Sequence, residues 1–425
     1  MKKIISLVFI ILCLSSMVYA KGTTETTKQH ITIWWNTSQG ANNSVFEEII
    51  DNFNNTIGQE KNIEVEAIFQ GKASDVLTKV NAASGTNTLP DIAMMDATAA
   101  LDMNNSEYLV TVDKLGVNVD NILKCAISSY SSEKGLLAVP FNASALLYYY
   151  NKTVYDQKGV NAPQTLDDMI SVVSTTGSKE RMGFSGVPAS FELTTFIGAQ
   201  NGCSYMVNNK NGHEGAATEV LFGKNGTYKA FLEKWKAIYD TGYMDAITSG
   251  VTAEFTSGRS LAMLASSSNL ASVLAQAANS FEVGVAQVPI VNSQATGGTV
   301  ISGGALYSFT NSEAVKTVLE YLISDEVQIT WSKATGYVPV NVKAYDTAEY
   351  KAFLQENPLY EVALKALLES DERLCNLWIP SSYSIYYSFQ ANIVDAIKGN
   401  MTIDEAVKDM VNILQSALDT YNSQN

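Results

Sequence analysis

The chain has 425 residues, 46% of them hydrophobic and 17% charged, with a formal net charge of −15. That length and apolar content suit two packed domains better than one. The acidic balance argues against nucleic acid and anionic membrane as partners, and an anionic ligand would need local positive groups against the overall field.

Lys2 and Lys3 open a charged start, residues 4–14 form an apolar run, and Val18-Tyr19-Ala20 makes a small-residue cleavage pattern. Together they predict a secretory signal over residues 1–20, since the run is too short to span a bilayer. The rival is a lipoprotein signal acylated at Cys13, which the bulky Leu12 disfavours. Residues 21–30 are polar, lack an apolar period and read as a disordered tether. No later run resembles a membrane span, so the mature chain is expected to be exported, soluble and periplasmic.

Residues 31–35, 63–69 and 91–95 read as strands, separated by helical spacing over residues 44–53 and 73–83. That alternation predicts βαβ units and a parallel sheet. Ligands gather at the carboxyl ends of such strands, which brings Asn36, Ser38, Gln70 and Asp96 to one rim. No GxGxxG follows the first strand, so no dinucleotide is expected. Trp34 and Trp35 face opposite ways on a strand, one toward the core and one toward a cleft.

Residues 135–169 read as a crossover between lobes. Pro140 marks a strand edge or a change of direction, residues 146–150 form an aromatic strand, and Gly159 stops a short helix. Thr165 caps the next helix, with Asp167 and Asp168 in its first turn. Tyr148, Tyr149 and Tyr150 suit sheet packing better than a ligand. A second crossing is expected near residues 288–290, beside Pro289. Residues 299–309, with Gly303 and Gly304, should be a strand that backbone or ligand approaches closely. One helix over residues 312–334 should lead to a third crossing at Gly336 and Tyr337. In the tail, Thr402 and Glu405 form a capping box before an amphipathic helix.

The residues for covalent chemistry are sparse. Only His30 and His213 are present; His30 falls in the tether, and His213, in a Gly/Asn-rich loop, reads as solvated. No HExxH, P-loop or zinc spacing occurs, so neither metal nor cofactor is expected. Cys125, Cys203 and Cys375 read as buried small hydrophobes, with room for at most one disulfide. Aromatics and small polar residues are abundant instead at strand ends and crossings, as suits polyols and sugars. Tyr337, Trp378 and one of Tyr383, Tyr386 and Tyr387 are the aromatic candidates; Tyr386 is taken as that one.

Val139-Pro140-Phe141-Asn142 with the following strand, and Thr335-Gly336-Tyr337-Val338-Pro339, closely resemble segments of the extracellular solute-binding proteins of ABC importers. That family comprises carbohydrate and glycerol-phosphate receptors. The likeness also includes Ile33-Trp34-Trp35-Asn36, residues 255–270 and Gly303-Gly304-Ala305. It implies an α/β two-lobe periplasmic-binding-protein fold with three inter-lobe crossings. The lobes would be residues 31–141 with 290–334, and residues 142–289 with 335–425. The glycerol-3-phosphate receptors are the most similar subfamily. Their pattern implies ligand roles for Phe69, Asp96, Ser144, Ser266 or Ser267, Gly303 or Gly304, and Tyr337, with Phe196 more loosely placed. Where they carry a phosphate-binding arginine, this chain has Trp378, and the nearest basic residue is Arg373. Loss of a bidentate guanidinium favours a neutral sugar or polyol, with Trp378 stacking on it. The expected function is capture by lobe closure and delivery to an ABC permease, without enzymatic activity. A glycerol-3-phosphate or glycerophosphodiester receptor is the alternative, and an exported carbohydrate-active enzyme is the alternative from another class.

Overall fold

The computed structural model describes residues 27–36 and 42–424, so the signal over residues 1–20 and the candidate Ser38 lie outside the described residues. In chain order the strands of the two main sheets are β1 (Gln29–Trp35), β2 (Ile63–Phe69), β3 (Ile92–Asp96), β4 (Val139–Pro140), β5 (Leu146–Asn151), β6 (Ala262–Ser266), β7 (Val283–Gln287) and β8 (Gly304–Ser308). The first sheet has the order β2-β1-β3-β8-β4 and the second β6-β5-β7.

β1 pairs in parallel with both β2 and β3. Parallel neighbours need long crossovers, and the helices Asn42–Asn55 and Ala73–Ser84 supply them. Period-2 burial turns Ile31, Ile33 and Trp35 inward, and the Trp35 ring lies 4.7 Å from Phe46. Trp34 packs partly buried against the same core. β1 begins earlier than expected: Gln29 and His30 pair with Ile63 and Glu64, and His30 Nδ1 lies 3.2 Å from the Glu64 carboxylate. The tether expected over residues 21–30 therefore does not include them, because Ile63 and Glu64 offer ladder partners.

β8 and β4 close the sheet antiparallel, with Gly304 opposite Asp96 and Ala305 opposite Pro140. Pro140 has no N–H to give, and β4 is the edge strand, where that loss is tolerated. In the second sheet β5 lies between β6 and β7, and both pairings are antiparallel. Tyr148 and Tyr149 point to opposite faces of β5 and are buried in different cores.

The three crossings lie side by side. Val338 N–H donates to Ala143 O at 2.7 Å, and Ser144 and Ser302 exchange backbone bonds of 2.8 and 2.9 Å. The second crossing thus falls at Ser302 rather than at residues 288–290. Ile290 remains with the second sheet's surroundings: its N–H donates to Gln164 O, and its O accepts from Leu166 N–H. Residues 290–300, expected in the first lobe, are held to the second as well by bonds from Thr296 N–H to Ala199 O and from Val300 N–H to Thr195 Oγ1.

The helix expected over residues 312–334 is two, Glu313–Leu322 and Asp325–Thr335, because Ser324 starts a new N-cap by accepting from Val327 N–H. Gly336 ends the second at φ +93°, where a Cβ would sit 2.6 Å from Ser267 O. The tail helices Ser382–Lys398 and Ile403–Gln424 pack on Thr227–Tyr239 of the second lobe. Thr402 and Glu405 exchange the capping-box bonds at the start of the last helix.

Candidate ligand-binding site

A cavity of about 740 Å³ opens between the two sheets, at the carboxyl end of β3 and beside the hinge. From the first lobe come Asn36, Asp96, Asn142, Gly303, Gly304 and Trp331; from the second, Glu192, Trp235, Ser266, Tyr383 and Tyr387. Ser144 and Tyr337, on the crossings themselves, complete the wall.

Each side chain is positioned by local chemistry. Asp96 ends β3 and caps the next short turn: its Oδ1 accepts from Thr98 N–H at 3.0 Å and from the Thr98 hydroxyl. Across the cleft the Tyr383 hydroxyl donates to Asp96 Oδ2 at 3.2 Å. Along the hinge the hydroxyls form a line. Ser266 donates to Ser144 Oγ at 2.8 Å, and Ser144 donates to Ser302 O at 3.2 Å. Ser268 Oγ lies 2.9 Å from Ser266 Oγ. Gly303 sits at φ +127°, and a Cβ there would lie 2.2 Å from Asn142 O, so only glycine allows the backbones to come this close. Tyr337 stacks on Trp331 with ring centroids 6.1 Å apart.

Charge inside the cavity is carried by acids. Burial holds the Asp96 carboxyl above its ordinary range, against the lowering effect of its bonds from Thr98 and Tyr383. Burial also pushes Glu192 up to about 7, opposed by the Ala189 N–H that its Oε2 accepts at 2.9 Å. Among the described lining residues Lys72 is the one cation, and it is exposed. Asn142 Oδ1 is buried without a hydrogen-bond partner. Among the described residues no group of three or more His, Cys, Asp or Glu could hold a metal ion, and no helix is long and apolar enough to cross a membrane.

The model for bacterial extracellular solute-binding proteins matches residues 48–360. This chain belongs to that family. It is similar to the sn-glycerol-3-phosphate-binding periplasmic protein UgpB of Agrobacterium fabrum, 26% identical over 359 residues that cover 79% of this chain and 80% of the relative. The UgpB of Brucella melitensis is 25% identical over 407 residues, 88% of this chain and 91% of the relative. Among solved structures, UgpB from Mycobacterium tuberculosis in complex with glycerophosphocholine superposes with a TM-score of 0.75 at 22% identity, covering 92% of this chain and 98% of that one. The cyclic alpha-maltosyl-1,6-maltose binding protein from Arthrobacter globiformis gives 0.76 at 21% identity, covering 92% and 99%. These structures share the two-lobe fold.

In this solute-binding protein Asn36, Asp96, Ser144, Ser266, Gly303, Gly304 and Tyr337 meet on the cavity wall. Tyr386 is set aside from them, in a small adjoining cavity with Asp96 and Gly303. Among the other described candidates, Phe69, Phe196, Ser267 and Trp378 do not line this wall. Phe69 ends β2, 46% exposed, with its ring against Trp35 at 5.3 Å. Phe196 is buried among Phe231 and Trp235. Ser267 is buried and accepts from Ala145 N–H, so it secures the hinge.

Trp378, expected to stack on a ligand, is 1% exposed and stacks on His213 instead, at 3.8 Å. Its neighbours Leu377 and Ile379 are equally buried, so the whole turn inserts into the core. His213 is correspondingly not solvated. It is 3% exposed, with Nδ1 at 3.1 Å from Ser131 O and Nε2 at 2.9 Å from Asn376 O, and burial lowers its pKa to about 4. All three described cysteines are free.

Glu192, Asn142, Trp235 and Trp331 are wall residues that the sequence reading did not single out as ligand candidates; Asn142 entered it only within the first crossing. For Glu192 a signal existed: it is the one charge in the otherwise uncharged helix Ser190–Gly198.

Proposed function

We propose that this solute-binding protein captures a sugar or related polyol between its lobes and delivers it to the permease of an ABC importer. The observation that carries this reading is the cavity wall, where amides and hydroxyls (Asn36, Asn142, Ser144, Ser266) alternate with Tyr337 and Tyr383. Hydroxyl-rich ligands need that mixture of hydrogen-bonding groups and ring faces. The relatives named for sn-glycerol-3-phosphate favour a second reading, a glycerol-phosphate or glycerophosphodiester receptor. The charges oppose it. Arg373 is tied to Asp371, with Nε 2.9 Å from Oδ1, and among the described lining residues only exposed Lys72 is offered to a phosphate.

On this reading Asn36, Asp96, Ser144, Ser266, Gly303, Gly304 and Tyr337 contact the ligand, and the protein performs no covalent chemistry. Residues up to Asn142 with 302–335 form one lobe, and the intervening and following residues form the other. The chain is exported by the signal over residues 1–20 and works as a free periplasmic protein. Ligand contacts to both walls favour the closed arrangement, the signal that the permease reads.

Titration calorimetry of candidate sugars and of glycerol 3-phosphate at low and moderate salt tests the reading. A neutral ligand should bind with little salt dependence, because screening acts on charged groups. Tight, salt-sensitive binding of the phosphate ester would replace the sugar reading with the second one. Turnover of the bound sugar would replace it with an enzyme.

A further inference from the structure

We infer that Tyr421, in the last turn of the final helix, is a positioning residue for lobe closure: it holds the second lobe against the first through Asn105. The inference takes its purpose from the capture reading, but its geometry is independent of what the ligand is.

The final helix, Ile403–Gln424, is built into the second lobe along its whole length. Its buried residues Met410, Leu414 and Leu418 recur every fourth position and join that lobe's core. Gln415 Nε2 donates to Thr218 O and Asn422 Nδ2 to Ala217 O, each at 2.8 Å. Tyr421 turns the other way. Its ring packs against the core that contains Leu101 and Met103. Its hydroxyl accepts from Asn105 Nδ2 at 2.6 Å, a bond across 316 residues of chain. The same amide donates to Leu101 O at 3.1 Å, so Asn105 is fixed to the helix Ala100–Asn104 that it ends.

The place of this bond gives it a role. Ser382–Lys398 and Ile403–Gln424 pack on each other as a hairpin across the short turn at Gly399. The helices run antiparallel and are 17 and 22 residues long, so Tyr383 and Tyr421 lie at the same end of the hairpin. Both reach the same first-lobe segment. Tyr383 binds Asp96, where β3 ends, and Tyr421 binds Asn105, where the following helix ends. One bond alone would let that segment pivot about it. Two bonds at its opposite ends fix its direction as well. Asp96 lines the cavity, whereas neither Asn105 nor Tyr421 does.

The outer bond therefore acts on the ligand only through the arrangement of the lobes. It exists while the lobes are held together, and in an opened form both groups bond water instead. A contact made in one state alone shifts the equilibrium by its own free energy. Apparent affinity then falls with the fraction of protein in the competent state, although no group that meets the ligand has changed.

The test is small-angle scattering of the ligand-free, full mature chain, with the melting temperature measured alongside. Tyr421→Phe keeps the packed ring and removes the hydroxyl, and Asn105→Ala removes the other partner. Each should raise the radius of gyration by about as much as Tyr383→Phe, while the melting temperature moves little. The double variant should open no further than either single one, since all three lack the same bond. An unchanged or smaller radius in Tyr421→Phe overturns the inference. A lower melting temperature with an unaltered radius overturns it too, by making Tyr421 a structural residue. A double variant that opens well beyond both singles shows that the effect does not come from this bond. No ligand is added, so each of these failures leaves the sugar reading standing. Failure of every sugar in calorimetry would remove that reading and leave the Tyr421 contact as it is.

Discussion

The hydroxyl of Tyr383 donates to Asp96 Oδ2 across the cleft, so the first turn of the helix Ser382–Lys398 is tied to the last residue of β3 in the opposite lobe. A hydrogen bond to a carboxylate is worth roughly 1.5–3 kcal/mol, comparable with the few kcal/mol that separate open and closed forms. Tyr383→Phe should therefore enlarge the ligand-free radius of gyration in small-angle scattering while the melting temperature moves little. An unchanged scattering curve would show that this bond does not hold the lobes together.

Glu192 and His213 act on stability in opposite directions. Burial holds Glu192 at about 7, above its ordinary 4.5, so its contribution is complete below 4.5 and is lost as pH rises through 7. Burial holds His213 at about 4, below its ordinary 6.5, so its contribution is complete above 6.5 and is lost as pH falls toward 4. Between 4.5 and 6.5 the two slopes oppose each other. Glu192→Gln should expose the His213 slope, gaining on the order of 1–3 kcal/mol over the original chain between pH 5 and 7. Urea midpoints of both proteins at the two pH values measure this. Parallel pH dependences would mean that Glu192 titrates normally.

Trp378→Ala should cost roughly 3–5 kcal/mol of stability, the range for truncating a buried aromatic. The loss arises from the stack on His213 and from the cavity left between Leu377 and Ile379. Chemical unfolding decides it: a variant of full stability that had lost ligand affinity would return Trp378 to the binding site.

Gly303→Ala places a Cβ 2.2 Å from Asn142 O at a φ of +127°. The backbone strain is about 1–3 kcal/mol, and relief requires that the strand crossing beside Asn142 move. The melting temperature should fall, and closure on ligand, read by scattering, should weaken with it. Unaltered closure would separate Gly303 from the hinge.

The elements that local pattern controls were readable. β2 spans the alternating residues 63–69, and Thr165 caps its helix through the Asp168 exchange. The hidden parts depend on contacts distant in sequence. Pro289 suggested a crossing, but it is the pairing of Ile290 with Gln164 and Leu166 that keeps this stretch with the second lobe. The loop around His213 has the composition of a solvated turn, and Ser131 and Asn376 bury it from far away in the chain. Trp378 lies in an apolar run that reads alike for a core and for a sugar platform. The polar wall residues at strand ends, Asn36 and Asp96, were legible because topology places them there whatever their neighbours do.

The three adjacent crossings bear on how the protein can be observed. With Ala143 bonded to Val338 and Ser144 to Ser302, the connections form one short ribbon rather than three independent strings. Such a ribbon bends readily about one axis and resists twisting and sliding about the others. Opening then has a single coordinate. One distance between a label on each rim, beside exposed Phe69 and beside Tyr387, would suffice to follow the whole motion molecule by molecule.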